Sequence, residues 1–367
     1  MGKHLVFVGG GHAHLGPLSR LEEFVERGHR VTVISLEDHH YYSGMGPGVL
    51  GGFYEPYEAR FPLEDLVKSR GASFIAGRVS RVDPEARVLT LESGATVSYD
   101  VVSFNTGSEV PLPPPAKSRP NVYPVKPISN LIQAREGIRS RLAEGENVRV
   151  LVIGGGAAGV EVTANCLKLS EEAPGDVQLR LIAGSRLLAG YPHRARRLAL
   201  ESLKSRGAEV REDTWVKELT DEHAVTSDDW RCDCDVALVA TGVRPSEMFR
   251  RSGLPTTADG ALRVNEKLQC EQCAEIFGGG DCVGVEGYNL ARVGVHAVMQ
   301  GPVLFDNLMA SMEGGELRPY DPRRNYMLIL NMGDGSGIGW KWGWTLDGRL
   351  TFKLKDYIDR RFVRRYQ

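Results

Sequence analysis

Two glycine-rich turns carry the most specific chemistry in this chain. The first is Gly9, Gly10 and Gly11, followed by His12, Ala13 and His14; the second is Gly154, Gly156 and Gly159, followed by Val160 and Glu161. Each follows a short apolar run, HLVFVG at 4–9 and VRVLVI at 148–153, and opens a segment with helical spacing. In a dinucleotide-binding turn the first glycine makes the bend, the second lets main-chain N–H groups approach a pyrophosphate, and the third packs helix against strand. The helix N-terminus adds partial positive charge. Gly9, Gly11, His12, Ala13 and His14 are therefore candidate contacts to one nucleotide, with His14 standing where the third glycine belongs. Gly154, Gly156 and Gly159 are candidates for a second.

A carboxylate at the end of the next strand would take the adenosine ribose. After RVTVIS (30–35) the candidate is Glu37, with Ser35 close behind. After VQLRLI (177–182) no acid stands in place: Ala183, Gly184, Ser185 and Arg186 follow. Arg186 suits a 2′-phosphate, or nothing, leaving a second unit that keeps the fold without its nucleotide. The six cysteines, at 166, 232, 234, 270, 273 and 282, come without a secretion signal and read as thiols rather than a disulfide framework. Cys232, Cys234, Cys270 and Cys273 leave open a four-thiolate zinc site or a redox pair, but separate free thiols fit their positions better, and no metal is expected.

These turns need strands and helices to hold them. The order strand, helix, strand occurs twice, about 145 residues apart, which implies two doubly wound units. A helical spacing of Leu15, Leu18, Leu21 and Val25 predicts one helix over 15–27, and SNLIQAREGIRSRLAEG predicts another over 129–145. The Pro-rich stretch 111–127 reads as an exposed connection between the units. From about Pro302 the character changes: RPYDPRRN is a linker, the segment from Tyr326 to Leu354 alternates like a β-meander, and the end is a basic helix. At 42% hydrophobic and 25% charged, the 367 residues describe ordinary globular domains, and 43 glycines point to many tight turns. The net charge of −2 excludes a broadly basic nucleic-acid binder. No apolar run is long enough to span a membrane, and the chain reads as cytoplasmic.

Further segments complete a pattern. YDVVSFNTGS (99–108) and CDVALVATGVRPS (234–246) each end a strand in Thr-Gly, at Thr106-Gly107 and Thr241-Gly242, and IFGGGDCVGV (276–285) ends one in Gly-Asp. With the two glycine-rich turns, in this order, they resemble the two-dinucleotide-binding-domain flavoproteins of the pyridine nucleotide-disulfide oxidoreductase family over residues 4–310. GGGHAHL, YYSGMGPGVLGGFY, VKPISN, GVHAVMQGPVLFDNL, LNMGDG and LKDYIDRRFVRRY look like its type II NADH dehydrogenase-like branch, found alone or fused to selenophosphate synthetase. The absence of a Cys pair before Cys166 excludes the disulfide-reductase branch.

The resemblance implies an α/β fold of two Rossmann-like three-layer domains, glutathione-reductase-like, with a small C-terminal β-meander and helix. Residues 1–110 and 246–302 would bind FAD, 111–245 NAD(P), and 303–367 would form the C-terminal domain. It implies hydride transfer from NAD(P)H to FAD and electron delivery to a quinone or other small acceptor. Asp281 would meet the ribityl or phosphate part of FAD, and the helix holding Val295, His296 and Gln300 would aim its N-terminus at the flavin. Met45 and Pro47 would lie on the flavin face, Lys126 would approach from the crossing strand, and Glu161 would relay a proton. A surface lysine and a solvated helix acid are the bland readings of those last two, and structural histidines that of His12 and His14. Val295 and Met299 stand where the quinone reductases carry glutamines, with Gln300 beside them.

Two other functions stay open: a sulfide or selenium compound oxidoreductase using Cys166, Cys282 or the Cys270 pair, and a non-enzymatic flavin-binding redox sensor. Residues 353–367 hold six basic groups against two acids, with Tyr357, Ile358, Phe362, Val363 and Tyr366 at helical spacing. That tail would either lie on an anionic membrane surface or dock on its own protein. Trp340, Trp342 and Trp344 would share one face of a strand and by default pack in the core of the C-terminal sheet, with interface anchoring as the minority reading. A homodimer is a further expectation.

Overall fold

The computed structural model describes residues 2–115, 119–171, 173–322 and 325–367; residues 116–118 of the Pro-rich stretch and 323–324 of the linker lie outside the described residues. Ten strands form the framework: β1 (His4–Val8), β2 (Arg30–Ser35), β3 (Ser73–Ala76), β4 (Val101–Phe104), β5 (Val122–Pro124), β6 (Val148–Ile153), β7 (Val177–Ile182), β8 (Glu209–Arg211), β9 (Val236–Val239) and β10 (Ile276–Gly278). They make two five-stranded sheets, ordered β10-β4-β1-β2-β3 and β5-β9-β6-β7-β8. Every pairing within them is parallel. β1 is buried along its length and β6 at every residue but Arg149, as strands covered on both faces must be, which explains their predominantly apolar content. Each sits at the centre of its sheet and carries a glycine-rich turn at its C-terminal end.

The repeat is followed into the connections. β1 leads through α1 (His12–Leu18) and α2 (Glu22–Glu26) to β2; β6 leads through α5 (Ala157–Lys168) to β7. In both units a three-stranded antiparallel meander precedes the strand that returns to the sheet centre, over 79–98 and 216–233. α3 (Gly46–Leu50) and α4 (Ser129–Ala143) pack on one another, and α3 also packs on α5. The helix expected over 15–27 divides in two. Pro17 lacks an N–H, the Ser19 hydroxyl turns back to the Gly16 carbonyl at 2.7 Å, and the chain restarts so that Leu21 and Phe24 both reach the core.

After α6 (His193–Ser205) and α7 (Gly294–Glu313), the C-terminal part is a meander of β11 (Leu328–Asn331), β12 (Gly337–Lys341) and β13 (Trp344–Gly348), followed by α8 (Arg349–Arg364). Residues 349–354, expected to continue the meander, begin α8 instead. Gly348 turns the chain at φ 99°, and Thr351, Lys355, Asp359 and Val363 recur every four residues on the buried face, a helical period. The expected apolar stripe also separates: Val363 and Tyr366 are buried, whereas Tyr357 and Ile358 face solvent. The tryptophans do not share a core face either. Trp342 and Gly343, at φ 51° and 80°, form the two-residue hairpin turn, which leaves Trp342 and Trp344 exposed while Trp340 packs edge-on against Tyr191.

Helix α5 crosses β6 so closely that a Cβ on Gly159 would stand 1.8 Å from the Gly154 carbonyl oxygen. We expect Gly159→Ala to cost about 3 kcal/mol, because backbone rather than a flexible side chain must move. Gly137→Ala, exposed in α4 with open space around it, should instead stabilise by roughly 0.5–1 kcal/mol. Urea unfolding followed by far-ultraviolet circular dichroism reads both; equal midpoints for the two variants would show that the close crossing is not there.

Candidate functional site

At the first turn, Gly9 adopts φ 90° and its N–H donates to the Ile34 carbonyl at 2.7 Å, tying the end of β1 to β2. A Cβ on Gly9 would lie 2.3 Å from the Asn105 carbonyl oxygen, and one on Gly11 2.2 Å from Asn105 Oδ1. Asn105, just after β4, is thus pressed against the turn. Its Oδ1 accepts from the Ala13 N–H at 3.1 Å, and its Nδ2 donates to the Gly279 carbonyl at 2.6 Å, in the Gly-Asp segment. Gly280 N–H in turn donates to Gln300 Oε1 of α7 at 2.6 Å. One buried amide therefore fixes the glycine-rich turn, the end of β4 and the Gly-Asp turn together.

His14 resolves the missing third glycine. Its Nδ1 lies 2.6 Å from the Gly9 carbonyl oxygen, which can only accept, so Nδ1 carries the proton and Nε2 accepts from the Ser103 hydroxyl at 2.8 Å. Full burial pushes its pKa down to about 4, so the ring is neutral and points beneath the turn rather than beside a pyrophosphate. His12 takes a different place. It lies under Gly294 at the start of α7, edge-on to His40 and near Tyr42 and Phe362, with Nε2 buried and without a partner. Burial first, then the Lys126 charge, lowers its pKa to about 4.

Asp281 Oδ2 accepts from Lys126 Nζ at 2.8 Å and from the Ser108 hydroxyl at 2.9 Å, and its main-chain carbonyl accepts from Arg292 Nε. Burial works against its charge, but Lys126 and Ser108 outweigh it and hold the carboxyl below its ordinary range. Lys126 is thus neither a free surface lysine nor detached from the site. Beside Asp281 a cavity of about 270 Å³ opens, bounded by Thr257, Asp259, Val293 and His296 at the start of α7. Val295 sits in the first turn of that helix; the His296 ring instead meets Tyr320 and Tyr326. Glu37 is exposed beyond the end of β2 and lies 3.8 Å from His39; Ser35 ends the strand. Thr106 is exposed, and Gly107 and Gly242 turn at φ 70° and 96°. Met45 and Pro47 do not line an open face: both are buried where α3 packs.

The second turn repeats the first. Gly154, at φ 129°, donates to the Ile182 carbonyl at 2.8 Å, and Gly156 opens α5 with free space where a Cβ would stand. One turn into α5, Glu161 is half-buried, and its Oε1 accepts from the Asn331 N–H of β11 at 2.8 Å. Facing it from α8 is Lys355, whose Nζ donates to Asp359 Oδ2 and to the Gly44 carbonyl, each at 2.7 Å; the Tyr42 hydroxyl also bonds Asp359. Burial raises the Glu161 pKa to about 7 against the pull of Lys355. For Lys355, burial opposes the charge, but Asp359 and Glu161 outweigh it and the amine stays protonated. Tyr42, Lys355 and Asp359 escaped the sequence reading, although the Lys-x-x-x-Asp spacing within a helical stripe was a usable signal.

The cysteines are poorly placed for sulfur chemistry. Cys166 and Cys282 are fully buried with thiols pushed up by burial, Cys282 to about 11. Cys232 lies in the last strand of the meander and Cys234 just after it, before β9, whereas Cys270 and Cys273 lie beside β10. Among the described residues no three His, Cys, Asp or Glu side chains gather as a metal site would require.

Residues 3–301 match the family model of the pyridine nucleotide-disulphide oxidoreductases, and the chain belongs to that family. Ferroptosis suppressor protein 1 of Taeniopygia guttata is 26% identical over 365 residues, covering 95% of this chain and 91% of that protein. The demethylphylloquinone reductase NdbB of Synechocystis is 25% identical over 92% of this chain and 87% of its own length. Among solved structures, the sulfide:quinone oxidoreductase of Aquifex aeolicus superposes with a TM-score of 0.81 at 16% identity, over 99% of this chain and 91% of that one, a likeness of fold. The chain is an oxidoreductase that uses FAD, with NAD(P)H as electron donor. The residues fit that cofactor: a glycine turn at a helix N-terminus, a carboxylate at the Gly-Asp turn, and an unpartnered buried His12 nitrogen beside them.

Glu161 makes stability depend on pH in a defined direction. Its carboxyl binds a proton more tightly folded, at about 7, than at its ordinary 4.5, so its contribution is full below about 4.5 and is lost as pH rises through about 7. We expect this residue to make the protein about 3 kcal/mol less stable near pH 8 than near pH 5, a dependence that Glu161→Gln removes. Urea unfolding at the two pH values measures it; identical slopes in both proteins would reject the shift.

Proposed function

We propose that this member of the pyridine nucleotide-disulphide oxidoreductase family reduces a quinone at a membrane surface, with Glu161 as the residue that holds the proton for the reaction. FAD, when bound, would supply the two-electron chemistry that links hydride from NAD(P)H to the acceptor. Reducing a quinone to a quinol takes two electrons and two protons, one from the donor hydride and one from water. A proton-holding group beside the reaction must therefore reload from solvent near neutral pH. The observation that carries the reading is the half-buried Glu161 with the Lys355–Asp359 pair facing it, since a carboxyl poised near 7 can both give and regain a proton there. Lys355 is a positioning residue: its charge eases the ionised form of Glu161 and limits how far burial raises it. The names of the relatives, demethylphylloquinone reductase among them, support a quinone as acceptor.

The same helix that buries Lys355 supports the membrane. Of the six basic groups in 353–367, Lys355 and Arg360 are spent on Asp359, Asp356 and Glu58. Lys353, Arg361, Arg364 and Arg365 remain outside, next to Leu350, Leu354, Tyr357 and Ile358 on α8, while the β12–β13 hairpin exposes Trp342, Trp344 and Leu346. An apolar face ringed by cations fits the headgroup region of an anionic bilayer. No helix among the described residues is long and apolar enough to cross one, so attachment by this face would be peripheral. The two arms of the tail's expected behaviour, docking on its own protein and facing a membrane, fall on opposite sides of one helix.

Two measurements test this. In anaerobic stopped flow, Glu161→Gln should keep flavin bleaching by NAD(P)H within a few fold but slow reoxidation by a soluble quinone roughly a hundredfold and erase its pH dependence near 7. Equal reoxidation rates would remove Glu161 from the reaction. In co-sedimentation with vesicles containing anionic lipid, Trp342→Ser with Trp344→Ser and Leu350→Ser should cut binding at least about tenfold, each buried aromatic being worth a kcal/mol or more. Binding that is absent in the parent, or unchanged in the variant, would reject the membrane face.

A further inference from the structure

We infer that the nucleotide site beyond β7 is built for a 2′-phosphorylated donor, NADPH in preference to NADH, and that Arg186 is the residue that decides it. This rests on the second glycine-rich turn serving the electron donor. The loop is held firmly in place. Ala183 exchanges main-chain hydrogen bonds with the end of β8, its N–H donating to Arg211 and its carbonyl accepting from Thr214, at 2.8 and 3.0 Å. The chain then leaves the sheet as Gly184, Ser185 and Arg186, all exposed, and returns with the Leu188 N–H donating to the Gly155 carbonyl at 2.7 Å. A Cβ on Gly155 would touch Ala183 at 2.6 Å, so the loop lies directly against the glycine-rich turn.

Its charge is what separates the two donors. The one carboxylate drawn into the loop from β8, Glu212, is already satisfied: it accepts from the Leu187 N–H at 2.5 Å and from Arg196 Nη2 at 2.7 and 2.8 Å. It closes the loop and is itself not free to accept from a ribose 2′-hydroxyl. Arg186 makes no ion pair or side-chain hydrogen bond among the described residues, so its guanidinium is open to a phosphate and pre-set for paired hydrogen bonds. Across the loop, Trp215 is 60% exposed, and its Cβ lies 3.6 Å from the position a Gly184 side chain would take. The exposed indole beside Gly184 offers a flat apolar surface for an adenine base, a contact that both donors would share. Asp213, exposed in the same turn, opposes a phosphate and sets an upper bound on the preference.

The holoprotein supplies the test without turnover. Calorimetric titration with 2′,5′-ADP and with 5′-ADP should show the former binding at least about tenfold tighter, the range for a charge-assisted pair. Arg186→Ala should erase that difference while changing 5′-ADP binding less than about twofold, and Asp213→Asn should widen it. Trp215→Ala should weaken both nucleotides alike. Anaerobic bleaching of the flavin should follow the same order, NADPH ahead of NADH. Equal affinity for the two nucleotides, or an Arg186→Ala variant that weakens both equally, would overturn the specificity while leaving the donor reading intact. Bleaching by neither coenzyme would overturn the donor reading and the specificity with it.

Discussion

The side-chain amide of Asn105 is the contact on which the cofactor end of the molecule depends. An asparagine offers one acceptor and two donors in a rigid plane, and here the acceptor meets the start of α1 while a donor meets the Gly-Asp turn. Both glycines that flank it owe their identity to that closeness, since a methyl group at either would overlap the Asn105 backbone or amide. The second unit achieves the same bend without a side chain: Gly154 folds directly over the Ala240 carbonyl. The difference follows from what fills the third position. Gly159 lets α5 lie against the turn, whereas at His14 the helix carries an imidazole that must find its own two partners below it.

The nucleotide framework was legible because its signals are local. Runs rich in Val, Leu and Ile, each followed by Gly-x-Gly, define strand, turn and helix within about 20 residues, and the extent of RVTVIS matches β2 residue for residue. The expected third glycine failed at His14, where tertiary hydrogen bonds replaced a packing rule. Helix 15–27 failed at Pro17, and the final strand failed at Gly348, where a left-handed residue stops the alternation and a period of four takes over. Cluster members such as Asn105, Tyr42 and Lys355 were hidden for a different reason. Their partners lie up to 311 residues away, a distance at which no spacing rule operates.

α8 also shows how one helix can serve two solvents. Read as a basic amphipathic segment, it has one apolar stripe that either docks on the protein or lies on a membrane surface, with its charges opposite. The fold does something less economical in desolvation: it buries a lysine and an aspartate and exposes leucine, tyrosine and isoleucine. Burying a charge pair gains little stability over an apolar pair of the same size, so packing alone gives no reason for it. The arrangement makes sense if the inner face answers to the Glu161 carboxyl and the outer face to something other than water.

The bond between Lys355 and the Gly44 carbonyl closes the longest loop in this region. Contacts of that span form late in folding and open early under stress, because the entropy of closing the loop must be met before they contribute. In the two parallel sheets the widest pairing, Ile276 with Val102, spans little more than half that distance and is backed by continuous strands and core. Mild heat or denaturant should therefore loosen α8 first, flooding the Glu161 compartment with water while flavin and sheets stay in place. Such a protein would still look yellow and folded after the Lys355–Asp359 pair had left the Glu161 carboxyl.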